Sequence, residues 1–315
     1  MGTDKTKVTA EKIWMDGKLL DWNEAQVHVL THGLHYGLGI FEGIRAYKAQ
    51  CGRLAVFRLA DHMRRFLESA HICQLDMPFS QEQLEAACLE LLRAQSTTLK
   101  DMVYIRPVAF MGDGAMGLAA LNSTRVAIAA WPWGSYLGDE GLSKGIRAKV
   151  CSFNRLHINT AMSKAKVNGH YVNSIFAKRD AVLSGFDESI FLDTQGYVAE
   201  ASAENVFVVD RRGIVKTPPL SLPILDGITR DSAIQILRND MGCTVEEVAF
   251  TRDELYIAHE VFITGTAAEI TPIREVDGRQ VGQGTVGPKA RELQERYLKT
   301  VRGHCPQYEA WLSYV

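Results

Sequence analysis

Between Trp131 and Gly141 the chain interrupts its own pattern. The stretch Trp131-Pro132-Trp133-Gly134-Ser135-Tyr136-Leu137-Gly138-Asp139-Glu140-Gly141 holds three glycines, one proline and three large aromatic side chains. Glycine and proline at this density punctuate regular structure, and the aromatics mark the segment as ordered rather than a loose linker. It therefore reads as a connection, residues 134–141, between a small N-terminal domain, 1–133, and a larger C-terminal domain, 142–315. A chain of this length has ample material for two cores.

On the N-terminal side, residues 12–15 and 18–22 flank Asp16-Gly17 as a hairpin. Residues 39–47 and 54–58 form a second strand pair around Gln50-Cys51-Gly52. A helix from about 60 to 74 follows, then one opening at Ser80, whose spacing to Gln83 fits a capping box. Residues 102–110 and 125–131 are strands rich in β-branched and aromatic side chains. Beyond the connection come a strand at 145–152 and a helical stretch at about 168–183, closed by Gly185. Strands at 188–193 and 205–210 and a helix opening at Thr229 continue the pattern. Thr251-Arg252-Asp253-Glu254 fits another capping box, ahead of a strand at 260–264 and a helix at about 288–301. Strands and helices mix without the strict alternation of a doubly wound sheet, which implies an α+β fold.

Composition narrows the function classes. With 46% apolar and 23% charged residues the chain is globular, and a net charge of −2 offers no field for nucleic acid or an anionic membrane. No apolar run approaches the roughly 20 residues of a membrane span. Residues Met1 to Lys7 are polar and lack the core of a signal peptide, so a cytoplasmic protein is expected. The six cysteines are scattered without a C-x-x-C pair and are expected to be reduced and mostly buried. Gly37-Leu38-Gly39 lacks the third glycine of a dinucleotide fingerprint. Met111-Gly112-Asp113-Gly114-Ala115-Met116-Gly117 has too few carboxylates for a calcium loop, and the nine histidines show no metal-ligand spacing.

Four segments carry chemistry. Ala161-Met162-Ser163-Lys164-Ala165-Lys166-Val167-Asn168-Gly169-His170-Tyr171 sets two lysines at the mouth of a helix, where burial and the helix dipole favour a neutral amine. Val198-Ala199-Glu200-Ala201-Ser202-Ala203-Glu204-Asn205 puts a glutamate at a strand end among small neighbours. Leu225-Asp226-Gly227-Ile228-Thr229-Arg230 opens a helix with Gly-x-Thr, an anion site of the phosphate-binding kind. Phe262-Ile263-Thr264-Gly265-Thr266-Ala267-Ala268-Glu269 ends an apolar strand in Gly-Thr, a second phosphate clamp. Each alone has an ordinary reading as a helix start, a solvated carboxylate, a cap or a turn. Together they offer a reactive lysine, a carboxylate for a pyridine nitrogen and a phosphate cradle, the needs of a pyridoxal 5′-phosphate (PLP) enzyme.

In this order the segments resemble the fold-type IV (class IV) PLP enzymes, and among them the branched-chain amino-acid aminotransferases. The resemblance runs from Ile13 to about Leu293. It includes His35-Tyr36-Gly37-Leu38-Gly39-Ile40-Phe41-Glu42-Gly43-Ile44-Arg45, Val56-Phe57-Arg58-Leu59-Ala60-Asp61-His62, Tyr104-Ile105-Arg106-Pro107 and Trp133-Gly134-Ser135-Tyr136-Leu137-Gly138. It implies a small N-terminal α/β domain, a larger C-terminal domain with a barrel-like sheet, and a homodimer or higher homo-oligomer. Amino acids and 2-oxo acids would be its small-molecule partners, with transfer between leucine, isoleucine or valine and 2-oxoglutarate. Lys166 would be the Schiff-base lysine and proton carrier, because the family's lysine stands five residues before the tyrosine, here Tyr171, that meets the cofactor's phenolic oxygen; Lys164 is off this register. Glu200 would pair with the pyridine nitrogen, while Arg58, Thr229 and Thr266, with amides near Ile228 and Thr266, would hold the phosphate. Tyr36, Phe41, Tyr104, Arg106, Leu118, Trp133, Tyr136, Thr266 and Ala267 match substrate-pocket positions, Tyr36 and the segment around Leu118 reaching in from a neighbouring subunit. D-amino-acid and (R)-amine aminotransferases and aminodeoxychorismate lyase share the lysine, glutamate and clamps and are the alternatives. Asn168, His170 and the run Ala201-Ser202-Ala203 depart from the family's plainer pattern beside the cofactor.

Overall fold

The computed structural model of the chain describes residues 8–95, 99, 101–134 and 137–315. Two compact units form: one from residues 1–134 with 167–169 and 302–315, the other from 135–166 with 170–301. The tail 302–315 lies beyond the boundary expected from the sequence, yet it groups with the first unit.

In the first unit, strands β1 (Lys12–Met15), β2 (Lys18–Asp21), β3 (Gly39–Phe41), β4 (Ile44–Lys48), β5 (Leu54–Phe57), β6 (Met102–Met111) and β7 (Thr124–Pro132) join the strand Leu312–Tyr314 in one eight-stranded sheet. The order is Leu312–Tyr314, β5, β4, β6, β7, β1, β2, with β3 alongside β6. Helices α1 (His32–Tyr36), α2 (Leu59–Ile72) and α3 (Gln81–Ala94) complete the unit. In α3 the buried residues Leu84, Ala87, Cys88, Leu91 and Leu92 recur every three to four positions and form one apolar stripe. Ser80 caps this helix in the expected box, its hydroxyl accepting from the Gln83 amide while Gln83 returns the bond. Strand alternation does the matching work: Val103, Ile105, Ala109, Val126, Ile128 and Ala130 share the core face. Tyr104, Arg106 and Trp131 therefore fall on the opposite face.

The expected strand 39–47 is broken at Glu42-Gly43. Glu42 is fully buried and accepts two bonds from Arg65 (2.7 and 2.8 Å) and one from His62 Nδ1 (2.7 Å). Burial alone would raise its carboxyl, but the charges and hydrogen bonds of Arg65 and His62 outweigh that and hold it well below the usual carboxylate range.

The second unit opens with α4 (Gly138–Lys144), which begins within the expected connection 134–141, and continues with β8 (Ile146–Asn154). It continues through α5 (Tyr171–Leu183), β9 (Glu188–Leu192), β10 (Val198–Ala201), β11 (Asn205–Val209), β12 (Val215–Thr217), α6 (Ile228–Asn239) and β13 (Val245–Glu247). Then come α7 (Arg252–Ile257), β14 (Glu260–Gly265), β15 (Glu269–Val276), β16 (Arg279–Gln280) and α8 (Pro288–Val301). Six strands close on themselves in the cycle β8, β9, β10, β11, β14, β15 and back to β8, a barrel in which β8 runs parallel to both its neighbours. Alternate residues from all six strands, among them Ile146, Ala148, Ile190, Val198, Val206, Ile263 and Ile273, meet in one buried cluster. Only the inside of a closed ring lets six strands share a core in this way. The fold is mixed α and β in the expected barrel-bearing class.

Two local expectations give way. Thr251 makes no cap for α7, because its hydroxyl donates to the Asp253 side chain at 2.5 Å instead of accepting from the helix. Of the six free cysteines only Cys88 and Cys151 are buried, Cys51 is exposed and the rest are half-buried.

Candidate active site

In the second unit, Lys166 Nζ donates to the Tyr171 hydroxyl at 2.7 Å, so the five-residue spacing does bring these side chains together. The helix begins only at Tyr171, after a turn of 3₁₀ helix at Asn168–His170. Lys166 is thus outside the first helical turn, where the dipole's influence ends, and burial with hydrogen bonding shapes its surroundings instead. Burial and then the charge of Arg155 push the His170 imidazole down, keeping it neutral. Lys164 turns elsewhere and donates to the Ile224 carbonyl at 2.9 Å. Burial lowers its ammonium, opposed by Glu200 and Asp226.

Glu200 is buried, with both oxygens committed. Arg155 Nε meets Oε1 at 2.8 Å, while Oε2 accepts from the Leu225 amide at 2.9 Å and from Asn205 Nδ2 at 3.4 Å. Neither Arg155 nor Asn205 was assigned a role from sequence. Arg155 follows β8, its amide donating to the Leu192 carbonyl of β9 at 2.8 Å, and it meets Glu200 of β10 across that strand, a contact without any local signal; nothing in the local pattern around Asn205 singles it out.

Asn205 also donates to the Leu225 carbonyl at 3.0 Å, and a Cβ on Gly227 would lie 2.0 Å from its Oδ1. Glycine at that position therefore lets the carboxylate's partner pack against the start of α6. Gly227 has no side chain with which to cap the helix, so the amides of the first turn, at Ile228 and Thr229, are left for a ligand. The segment expected to form the second phosphate clamp is the turn 266–268 between paired Gly265 and Glu269, with Thr266 and Ala267 half-buried in it. Glu269 closes it in the left-handed region at φ 54°. Beside it the Thr264 hydroxyl is buried without a protein partner among the described residues. An amine, a buried carboxylate and amides left uncapped by a required glycine fit the three demands of PLP.

In the first unit, Arg58 takes a left-handed conformation (φ 53°), pairs with Asp61 at 2.7 Å and lies 4.9 Å over the Trp311 ring. Phe41, Tyr104, Arg106 and Trp133 gather on one face of the sheet. Arg106 lies 4.7 Å over Phe41 and 5.2 Å over Tyr104, and donates to the Tyr104 hydroxyl at 3.1 Å. Tyr104 meets Trp133 edge-on at 4.6 Å. Among the described residues Arg106 has no carboxylate partner, and its buried Nε has no hydrogen bond. A Cβ on Gly43 would fall 2.2 Å from the Tyr104 hydroxyl, so the glycine beside Glu42 makes room for this ring. Tyr36 is 47% and Leu118 89% exposed, on α1 and on a loop that His32 joins through the Gly117 carbonyl at 2.8 Å. Tyr136 lies outside the described residues.

Comparison with known proteins agrees with this arrangement. Residues 39–276 match the family model "Amino-transferase class IV". The chain belongs to the class IV aminotransferases. This class IV aminotransferase is 45% identical over 304 residues to the branched-chain-amino-acid aminotransferase of Pseudomonas aeruginosa, covering 96% of this chain and 97% of that one. The crystal structure of the Escherichia coli branched-chain amino acid aminotransferase is similar at a TM-score of 0.93 and 42% identity, covering 97% of this chain and 99% of that one. The T.th. branched-chain amino acid aminotransferase with pyridoxamine 5′-phosphate has a TM-score of 0.93 at 46% identity, covering 98% of this chain and 99% of that one. Among the described residues of the class IV aminotransferase, no cluster of His, Cys, Asp and Glu could hold a metal ion, and no helix is long and apolar enough to cross a membrane.

Proposed function

We propose that this class IV aminotransferase moves the amino group of leucine, isoleucine or valine to 2-oxoglutarate in two half-reactions at one site. The observation that carries the reading is the Lys166–Tyr171 pair set in the same unit as the buried, Arg155-bound Glu200. PLP, when bound, supplies the electron-withdrawing ring that makes the substrate Cα proton acidic. Lys166 Nζ is the base for that proton, and the Tyr171 hydroxyl accepting its hydrogen bond fixes where the amine points. Glu200 would hold the ring nitrogen, and Arg155 orients its carboxylate. The first turn of α6 at Ile228 and Thr229, the turn at Thr266, and Arg58 would hold the phosphate.

Substrate selection rests on Phe41, Tyr104 and Trp133 for the aliphatic chain and Arg106 for the second carboxylate of glutamate. We read the protein as a cytoplasmic homo-oligomer in which Tyr36 and Leu118 face a second copy. Leu34 and Leu121, 66% and 90% exposed, add to the same apolar surface. Residues 134–141 would serve as the connection between its domains. Borohydride reduction of the holoenzyme followed by peptide mass analysis tests the site. The pyridoxyl label is expected on Lys166, is lost in Lys166→Ala and persists in Lys164→Ala; a label on Lys164 refutes the assignment.

A further inference from the structure

Asn205 sits where the elements expected to hold the cofactor come together. It opens β11, is buried, and stands opposite Glu200 of β10 on one side and Thr264 of β14 on the other. Val206 and Val208 of β11, and Val261 and Ile263 of β14, point into the barrel core. Strand alternation therefore puts Asn205, Phe207, Phe262 and Thr264 on the outer face, where the Phe207 and Phe262 rings stack at 5.0 Å. Directly opposed side chains on one face have Cβ atoms about 4.5–5.5 Å apart. Thr264 runs straight into Gly265-Thr266, the start of the second expected clamp.

The side-chain amide of Asn205 spans two bonds. Its Nδ2 donates to the Leu225 carbonyl at 3.0 Å and, at a longer 3.4 Å, to Glu200 Oε2. The Leu225 amide donates to that same Oε2 at 2.9 Å. Leu225 and Glu200 are thus tied twice, once directly and once through Asn205, and Leu225 lies three residues ahead of Ile228, where α6 begins. Asn205 Oδ1 fills the space that a side chain at Gly227 would take, a Cβ there being 2.0 Å away. With its donor committed and its oxygen wedged against backbone, the side chain can move only if the start of α6 moves with it.

We propose that Asn205 is a positioning residue that locks Glu200 to the first turn of α6, so that the ring nitrogen and the phosphate of PLP are recognised jointly. This rests on the reading of Lys166, Glu200 and the start of α6 as the cofactor site. Its physical content is a coupling. An anion at the Ile228 and Thr229 amides draws α6 into place, Asn205 passes that placement to Glu200, and the ring binds more tightly; by linkage the ring favours the anion by the same factor.

Dividing the cofactor into two probes measures the coupling. The full-length protein, freed of cofactor, is titrated with 5′-deoxypyridoxal, which keeps the ring and aldehyde but lacks the phosphate, with and without saturating inorganic phosphite. The visible absorbance of the ring on Lys166 gives both affinities, and borohydride trapping locates the label in each protein. In the wild type, phosphite is expected to tighten ring binding by on the order of tenfold. Asn205→Leu keeps the bulk and removes both hydrogen bonds, so the ratio of the two affinities should fall toward unity. A general loosening of the fold would weaken both affinities alike and leave the ratio where it was, which separates positioning from a merely structural role. Should Asn205→Leu not fold, Gly227→Ala decides instead. Gly227 lies at φ −75°, which alanine adopts freely, so that substitution acts by displacing Asn205 and should lower the ratio too. A wild type without the phosphite effect, or a folded variant that keeps it with the label on Lys166, overturns the proposal. A wild-type label on any other residue refutes the site reading itself, and the proposal falls with it.

Discussion

Replacing Arg106 by methionine should separate the two substrates. In the proposed reaction leucine brings no side-chain charge, whereas glutamate would have to place a carboxylate against the same residues, where an unpaired anion is costly. Arg106 is available for it, because no carboxylate among the described residues holds the guanidinium and only the Tyr104 hydroxyl meets it, at 3.1 Å. A charge-assisted hydrogen bond is worth about 1.5–3 kcal/mol, and each 1.36 kcal/mol is tenfold, so the glutamate half-reaction should slow by roughly 10- to 150-fold. The variant also loses the stacking on Phe41 and Tyr104 at 4.7 and 5.2 Å. That loss, about 0.5–1 kcal/mol for each partly exposed contact, falls on both substrates and is partly recovered by methionine against the same rings. The leucine half-reaction should thus drop only a few-fold. Single-turnover absorbance changes with each amino acid separate the two halves. Equal losses with leucine and glutamate would make Arg106 a structural arginine and remove the charge-recognition argument.

Two further outcomes follow from the first unit. Arg65→Leu leaves the fully buried Glu42 with one cationic partner fewer and should cost about 3–5 kcal/mol in chemical denaturation. The double variant Glu42→Leu/Arg65→Leu should recover much of that, because no uncompensated charge remains. Since the Glu42 carboxyl is held below the usual range, its contribution is present above that range and fades only in strong acid, so the gap between wild type and Arg65→Leu should narrow as pH falls. Gly43→Ala should shift Tyr104 at a cost of about 1–3 kcal/mol from overpacking, read as a raised KM for leucine; an unchanged KM would show that the ring is free to move away.

How much could be read beforehand depended on how far each signal travels along the chain. The stripe in α3, its Ser80 box and the alternation in β6 are local, and each appears where the residue pattern put it. Lys166 and Tyr171 are five residues apart, so one turn is enough to join them. Arg155 and Glu200 are separated by 45 positions and meet across β9, through strand pairings that no spacing rule encodes. Glu42 lies in a segment that resembles the family's, but its burial depends on Arg65 arriving from another element. Thr251 failed as a cap although its pattern was right, since a neighbouring aspartate competed for the same hydroxyl.

The strand Leu312–Tyr314 pairs with β5, directly before Arg58, whose amide donates to the Trp311 carbonyl at 2.6 Å. These residues are made by the ribosome only after the whole of the second unit. The nascent first unit must therefore wait with the backbone of Leu54–Phe57 unpaired on that side, and a half-finished sheet edge is a place where growing chains stick to one another. Expression at lower temperature, or with a holdase that covers exposed strands, should raise the soluble yield by protecting that interval. A reporter fused at the tail would sense the completion of the first unit, although its residues leave the ribosome well after those of β5.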